Sequence, residues 1–450
     1  MATYAKNGDP GCDSTNWNQR APNATGPTSD KHTFRPVSLN TTQWFDSINA
    51  LGAKIAVLTA KHGCGFLLWP TNATLPKEKN ERTSAFRRTK ATQTILGVSS
   101  SSPHYGYHTD FDLLQNFVDS AKASGVGYGF YYSIMKNFFL CRSFEGENSC
   151  QQTILKNQHN VTDEEYHKIV KAHVNELWTN YGDLAEIWID SKLQGFGDLL
   201  NSLQPLAGGS PSNPRQWCGT ESGFPSRDVG PGPIWQTGDG FFGNSSSPHW
   251  VDKFCDPQLF RDHIWFYEPN RTVKSLEEMI PIYHDIVGRG MVMELAFAIN
   301  REGLVEASHE RVYRQLGKWV EKCYGTPILS KQHTIGDRVI RVAVPDSSPI
   351  SFDRIVLQED VGVGQRIRNY TIDLVCDDTN GVQTIISTLV SNGTSVGRKK
   401  IHLLEYEDGV HHSLEKANRS VVLTITEDIG PPHLSMFGLY QPCYPESSVL

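Results

Sequence analysis

The chain holds 450 residues, 38% of them hydrophobic and 20% charged, with a formal net charge of −7 at pH 7. That composition is globular rather than disordered or fibrous, and its acidic balance lacks the basic face a general nucleic-acid binder needs. The longest apolar runs, residues 55–60 and 291–299, are well short of the ~18 residues of a helical membrane span.

Residues 1–35 are rich in Gly, Pro and Asn and read as loop. Thr41 or Thr42 is expected to cap a helix whose apolar face is Trp44, Phe45, Ile48 and Leu51, with Gly52 at its end. A buried strand over 54–59 follows. Asp110 is expected to open a second helix presenting Leu113, Leu114, Phe117, Val118 and Ala121, closed by Gly125 and followed by a strand over 127–132. Thr162 and Glu165 have the spacing of a capping box, ahead of Tyr166, Ile169, Val170, His173, Val174, Leu177 and Trp178 at helical intervals. Gly182 ends that helix and a strand over 186–190 comes next. A second capping box, Ser275 with Glu278, opens a helix carrying Met279, Ile282, Tyr283, Ile286 and Val287 before a strand over 291–297. The next helix holds Val312, Leu316, Trp319, Val320 and Cys323.

Short apolar strands alternating with amphipathic helices define a parallel sheet covered by helices. The length of residues 1–327 suits a (β/α) barrel. A doubly wound sheet is the alternative, but no Gly-rich phosphate loop accompanies it. After Pro327 the texture changes to seven short β-rich runs, 338–344, 352–357, 370–374, 384–390, 400–404, 421–426 and 434–440, separated by Gly, Asn and Asp turns. These read as a β-sandwich. The expected organisation is therefore a (β/α) barrel over 1–327 and a sandwich domain over 328–450.

None of the nine cysteines forms a CxxC pair, and the odd count leaves at least one thiol outside any internal bridge. Cys141 and Cys150 bracket a polar loop, so they are either a local disulfide or two unrelated thiols. N-x-S/T sequons occur at Asn23, Asn40, Asn72, Asn160, Asn244, Asn270, Asn369, Asn392 and Asn418; roughly four would arise by chance. A secreted, lysosomal or vacuolar location is expected. The N-terminus MATYAKNGDPG lacks a basic-then-apolar signal segment, so the sequence is expected to begin after such a signal or to be truncated.

In a barrel, side chains at the C-terminal ends of strands line the active site. Asp190 directly follows the apolar run Glu-Ile-Trp-Ile; it is either a catalytic carboxylate or the cap of the next turn. His62 follows the 54–59 strand and is either a ligand contact or a hydrogen-bonded rim histidine. Trp69, Trp188 and Trp265 are core aromatics or faces on which a sugar stacks. His104, His108, Asp110 and Asp112 invite a metal reading, which the capping role of Asp110 answers. Neither a G-x-S-x-G elbow nor a P-loop is present.

At these residues a family resemblance emerges. AVLTAKHGCGFLLWPT (56–71), GFYYSIMKNFFL (129–140), ELWTNYGDLAEIWID (176–190) and WCGTESG (217–223) resemble glycoside hydrolase family 29, the α-L-fucosidases of plant and fungal type. GRGMVMELAFAINREG (288–303) is a looser match, and FDRIVLQEDVGVGQRIRNYTIDL (352–374) looks like that group's C-terminal galactose-binding-like sandwich. The resemblance implies an α/β fold, a degenerate (β/α)8 TIM-like barrel followed by a C-terminal β-sandwich. It implies retaining hydrolysis of terminal α-L-fucosyl residues on oligosaccharides or glycoproteins, with no metal or organic cofactor. Asp190 takes the place of the family nucleophile. Glu221 matches the acid/base segment. A retaining pair of this kind sits ~5.5 Å apart. His62 matches a histidine that hydrogen-bonds sugar hydroxyls, Trp69 a sugar-contacting aromatic, and Tyr132 a site-lining tyrosine for which Tyr131 is the off-by-one alternative. Trp265 is a further candidate stacking face.

Three departures stand beside these matches. The family's opening strand, ending His-Phe-Gly, has no counterpart here. Residues 205–216 read only PLAGGSPSNPRQ where the family has an apolar strand. Ser191 replaces a common Gly. A barrel short of a strand exposes two edges, so weak folding or weak activity is expected unless something fills the gap. The competing function is a non-catalytic fucose-binding protein or pseudoenzyme of the same descent; a hydrolase for another α-L-sugar differs only in pocket shape.

Overall fold

The computed structural model describes residues 34–76, 103–134, 137, 139–142, 159–190, 195–220, 222–223, 225, 250–262, 265–343, 350–376, 386–404, 412–414 and 419–443. The chain divides into two compact units, the first comprising 1–49, 53–213 and 299–304, the second 50–52, 214–298 and 305–450.

The first unit opens with helix α1 (Thr41–Leu51), which buries Trp44, Phe45 and Ile48. Each such side chain contributes about 1.5–3 kcal/mol on burial. Its cap is Asn40 rather than either threonine: the Asn40 side-chain oxygen accepts from the Gln43 N–H at 3.1 Å. Thr41 instead donates its hydroxyl to the Asn116 carbonyl at 3.1 Å. Three parallel strands follow, β1 (Ile55–Lys61), β2 (Gly127–Tyr132) and later β5 (Glu186–Ile189), hydrogen-bonded in that order. Between them run α2 (Leu113–Ala123), the short pair β3 (Leu140–Arg142) and β4 (His159–Val161), and α3 (Asp163–Thr179). The cap of α2 is Asp112, which accepts from Gln115 N–H at 2.9 Å, and not Asp110. The capping box of Thr162 and Glu165 on α3 is present as expected. Phe117 of α2 packs between Phe45 of α1 and Phe130 of β2, with centroids 5.2 and 6.5 Å away.

After β5 come α4 (Gly197–Leu203) and the glycine-rich stretch in which the family's apolar strand is expected to be shortened or lost. What the described residues hold there is a single parallel bridge from Glu186 to Gly208, with Ile187 N–H donated to the Gly208 carbonyl at 2.8 Å. The following Gly209 has φ +87°, and a Cβ there would lie 2.2 Å from the Ile187 carbonyl oxygen. Only glycine permits so close an approach.

In the second unit another parallel set, β6 (Arg215–Trp217), β7 (Asp252–Cys255) and β8 (Val292–Met293), pairs in sequence order. Helix α5 (Leu276–Ile286) carries the Ser275–Glu278 capping box, and α6 (Ala307–Tyr324) buries the expected Val312, Leu316, Trp319 and Cys323. Strand β8 is shorter than the expected 291–297. Its partner β7 ends at Cys255, and beyond it the chain is followed by isolated bonds from Glu294 N–H to Cys255 and from Ala296 N–H to Pro257.

The remaining strands are antiparallel: β9 (Leu329–Ile335), β10 (Val339–Ala343), β11 (Ile350–Phe352), β12 (Arg354–Glu359), β13 (Ile367–Cys376), β14 (Ile386–Gly393), β15 (Lys400–Leu403), β16 (His412–Leu414), β17 (Arg419–Asp428) and β18 (His433–Tyr440). They form two four-stranded sheets, β10-β17-β13-β14 and β15-β12-β18-β9, and a small β11-β16 pair. Alternate residues of both four-stranded sheets, among them Ile355, Leu357, Phe437 and Leu439 on one and Tyr370, Ile372, Val421 and Leu423 on the other, share a single buried core. This is the expected sandwich, with β9, β11 and β16 added to the seven expected runs. Strand β9, LSKQHTI, escapes a hydrophobic pattern because it is an edge strand with mostly exposed side chains.

Among the described residues, disulfides join Cys218 to Cys255 and Cys323 to Cys443, and Cys64 is buried. Whether Cys141 and Cys150 form a local bridge falls outside the described residues, since Cys150 is not among them.

Candidate active site

Strand parity sets the site. Phe130 and Ile187, neighbours in register on β2 and β5, are buried, with Phe130 packed on Phe117 and Tyr181. Successive side chains on a strand point to opposite faces. The next row, Thr59, Tyr131 and Trp188, therefore faces away from the helices. There the His62 ring stacks over Tyr131 at 5.6 Å and Trp188 meets Tyr131 edge-on at 5.4 Å. One step further on, Asp190 accepts a hydrogen bond at Oδ2 from the Tyr131 hydroxyl, 2.6 Å away. His62, Tyr131, Trp188 and Asp190 are all half-buried. A carboxylate at a strand end, oriented by a phenol and flanked by an imidazole and an indole, is equipped to attack a sugar carbon and bind its hydroxyls and apolar face.

Tyr132 and Trp69, expected to contact sugar, lie deeper. Tyr132 is 1% exposed, and its hydroxyl meets His173 Nδ1 at 2.9 Å. Tyr131, the neighbour, is the tyrosine that reaches Asp190. Trp69 is also 1% exposed, donates its indole N–H to Glu176 Oε2 at 2.8 Å, and meets the His173 ring edge-on at 5.7 Å. Thr71 hydroxyl and Asn72 N–H also donate to Glu176, each at 2.8 Å. Both α3 residues, His173 and Glu176, thus anchor the segment after β1.

A lysine that the sequence reading passed over lies in this floor. Lys61, 1% exposed, donates its ammonium to the Ser133 carbonyl and lies 4.9 Å from the centre of the Tyr132 ring. Burial pulls its pKa down to about 7, against the opposing pull of Asp190 and Cys64. Burial, then the Lys61 charge, holds His173 down at about 3, so that imidazole is neutral. A lysine closing a buried apolar strand is the signal that was available.

In the second unit, Cys218 and Cys255 tie the end of β6 to β7. Trp217 donates its indole N–H to Asp256 Oδ1 at 2.7 Å, and Trp265 donates to the Asp256 carbonyl at 3.3 Å. Gly223 N–H returns to the Thr220 carbonyl at 3.1 Å. Gly223 has φ +75°, and a Cβ on it would lie 2.5 Å from the Asp256 carbonyl oxygen. Glu221, between these anchors in sequence, lies outside the described residues.

Parallel strands ending in a carboxylate beside an aromatic wall, with an antiparallel sandwich following in the chain, are the plan of a barrel glycoside hydrolase. The chain belongs to the α-L-fucosidase family: the model described as alpha-L-fucosidase matches residues 15–325. Among curated relatives it is 22% identical to alpha-L-fucosidase 1 of Arabidopsis thaliana, over 92% of this chain and 81% of that protein. Among solved structures it resembles a Ruminococcus gnavus fucosidase of glycoside hydrolase family 29 in complex with fucose, with TM-score 0.68, 15% identity, and 96% of this chain and 91% of that one covered. A family 29 member from a rumen bacterium gives TM-score 0.66 and 18% identity over 94% of this chain and 73% of that one. The fold is thus a degenerate (β/α)8 TIM-like barrel followed by a β-sandwich.

Proposed function

We propose that the protein is a retaining α-L-fucosidase acting on terminal fucosyl residues of oligosaccharides or glycoproteins, with residues 1–327 as catalytic domain and 328–450 as sandwich domain. Asp190 attacks the anomeric carbon to form a glycosyl ester, and Glu221, assigned from its sequence match, protonates the leaving oxygen and then activates water. The observation that carries this reading is the Asp190 carboxylate at the end of β5, held by the Tyr131 hydroxyl at 2.6 Å. His62 supplies hydrogen bonds to sugar hydroxyls; Trp188 and Trp265 offer stacking faces; Tyr132 and Trp69 support the site from beneath. Passage through the secretory pathway is part of the proposal: the sequon asparagines within the described residues, Asn40, Asn72, Asn160, Asn270, Asn369 and Asn392, are all exposed.

The test is release of a chromophore from an aryl α-L-fucoside, with the product anomer followed by NMR. Wild type is expected to release α-fucose first. Asp190→Ala is expected to lose roughly a thousandfold or more in kcat and to recover turnover with added azide. Undiminished turnover in Asp190→Ala overturns the assignment, and fucose binding without release in wild type supports the non-catalytic alternative.

A further inference from the structure

Lysine is almost never fully buried without partners, and Lys61 is buried where three parallel strands end. A register shift between Thr59 and Lys61 bulges Ala60 out of the ladder, so Lys61 stands opposite Tyr132. The ladder then steps across the sheet: Ser133 N–H donates to the Lys61 carbonyl at 3.1 Å, and Asp190 N–H to the Tyr132 carbonyl at 3.3 Å. The Lys61 ammonium closes the step by donating to the Ser133 carbonyl, with the Tyr132 ring face 4.9 Å beneath it. We propose that Lys61 is a positioning residue of this site: its buried ammonium fixes the ends of β1, β2 and β5 in register and sets a positive charge among them. This rests on Asp190 being the nucleophile.

The charges facing Lys61 agree with that role. Asp190 and Cys64 both favour the ammonium form, and His173, on the far side of the Tyr132 phenol, is neutral and does not compete as a cation. The Lys61 charge is therefore present at acidic pH and lost as pH rises through neutrality. When Asp190 becomes an ester its negative charge disappears and the ammonium loses its counter-ion, a penalty that favours hydrolysis of the intermediate.

The test is the kcat/KM–pH profile of the full chain carrying Lys61→Met or Lys61→Arg, beside wild type. Lys61→Met is expected to cost about tenfold in kcat/KM on the acidic limb, where the wild-type ammonium is charged, and much less at pH 9, while Lys61→Arg keeps the wild-type acidic limb. An equal loss at both ends of the profile overturns the proposal, since a purely structural lysine would lower the melting temperature without a pH-dependent loss of activity. Should Lys61→Met not fold, Asp190→Asn gives the reciprocal reading without touching the lysine. Its melting temperature is expected to fall below wild type at pH 5 and to recover at pH 9, where the amine is neutral. A difference independent of pH overturns the proposal. Full activity in Asp190→Asn instead sinks the nucleophile reading itself, whatever the limb does.

Discussion

Glu176→Gln isolates the anchor beneath the candidate site, because it keeps the shape and removes only one charge. In the wild type Oε2 accepts from Trp69 and Thr71 and Oε1 accepts from Asn72, three contacts of 2.8 Å each. Glutamine has one carbonyl oxygen and one NH2 group. With the oxygen toward Trp69 and Thr71, the NH2 faces the Asn72 N–H, donor against donor; Asn72 is exposed, so water relieves part of the conflict. One charge-assisted bond is lost and two become neutral, at ~1.5–3 kcal/mol for the first and ~0.5–1 for each of the others. Allowing for the smaller desolvation cost of an amide, Glu176→Gln should destabilise by roughly 2 kcal/mol. That is a fall of ~4–8 °C in melting temperature for a unit of about 200 residues. Trp69→Phe should cost a similar amount, and the double variant should show a coupling of about 1 kcal/mol. Thermal melts followed by tryptophan fluorescence read all three. A Glu176→Gln melt within 1 °C of wild type refutes the anchoring argument. A raised KM in Trp69→Phe with unchanged stability returns Trp69 to the role of sugar contact.

Tyr131→Phe removes the hydroxyl that reaches Asp190 at 2.6 Å; a hydrogen bond to a charged group is worth ~1.5–3 kcal/mol, so kcat/KM should fall roughly 10- to 100-fold with the melting temperature nearly unchanged. Tyr132→Phe should do the reverse, and equal losses of activity in both variants would remove the distinction drawn from strand parity. His173→Gln tests acid sensitivity. The folded-state pKa near 3 lies below the ordinary 6.5 because of burial, so the unfolded chain binds the extra proton in that window. Stability from this group is complete above pH 6.5 and declines as pH falls toward 3. Between pH 7 and 5 the wild type should lose about 2 kcal/mol through it; a His173→Gln variant melting along the same pH slope as wild type would exclude His173 as the source.

The parts of the fold legible in the sequence are those whose signal is local. The capping boxes at Thr162 and Ser275 sit three residues ahead of their partners on the same turn, and strands such as β10, alternately buried and exposed, carry their period in the chain. Where two residues compete for one local role, the sequence offers no arbiter. Asp110 and Asp112 are equally good caps, and Asn40 outcompetes Thr41 because the hydroxyl of Thr41 is drawn to α2. The length of β8 depends on how far its partner runs, which its own apolar sequence does not record. Tyr131 and Tyr132 differ only by parity, and parity becomes fixed once Phe130 is seen against the helices.

Lys61 belongs to a different class, because no periodicity predicts a bulge. The position that reads as the last outward residue of an apolar strand turns inward when Ala60 leaves the ladder. At the end of a parallel sheet carbonyl groups run out of strand partners, and a buried carbonyl left unpaired is costly. The Ser133 carbonyl is such a group, and the lysine satisfies it. The same need for partners explains α3. Its inner face, which reads as plain apolar packing, places His173 and Glu176 one turn apart to receive Tyr132 and Trp69. Aromatic side chains with polar tips, driven inward by their rings, require acceptors at that depth. A helix that carries a histidine on its buried stripe and a half-buried glutamate three residues on, followed by a strand ending in a carboxylate, is therefore a sequence pattern for a polar floor under a site.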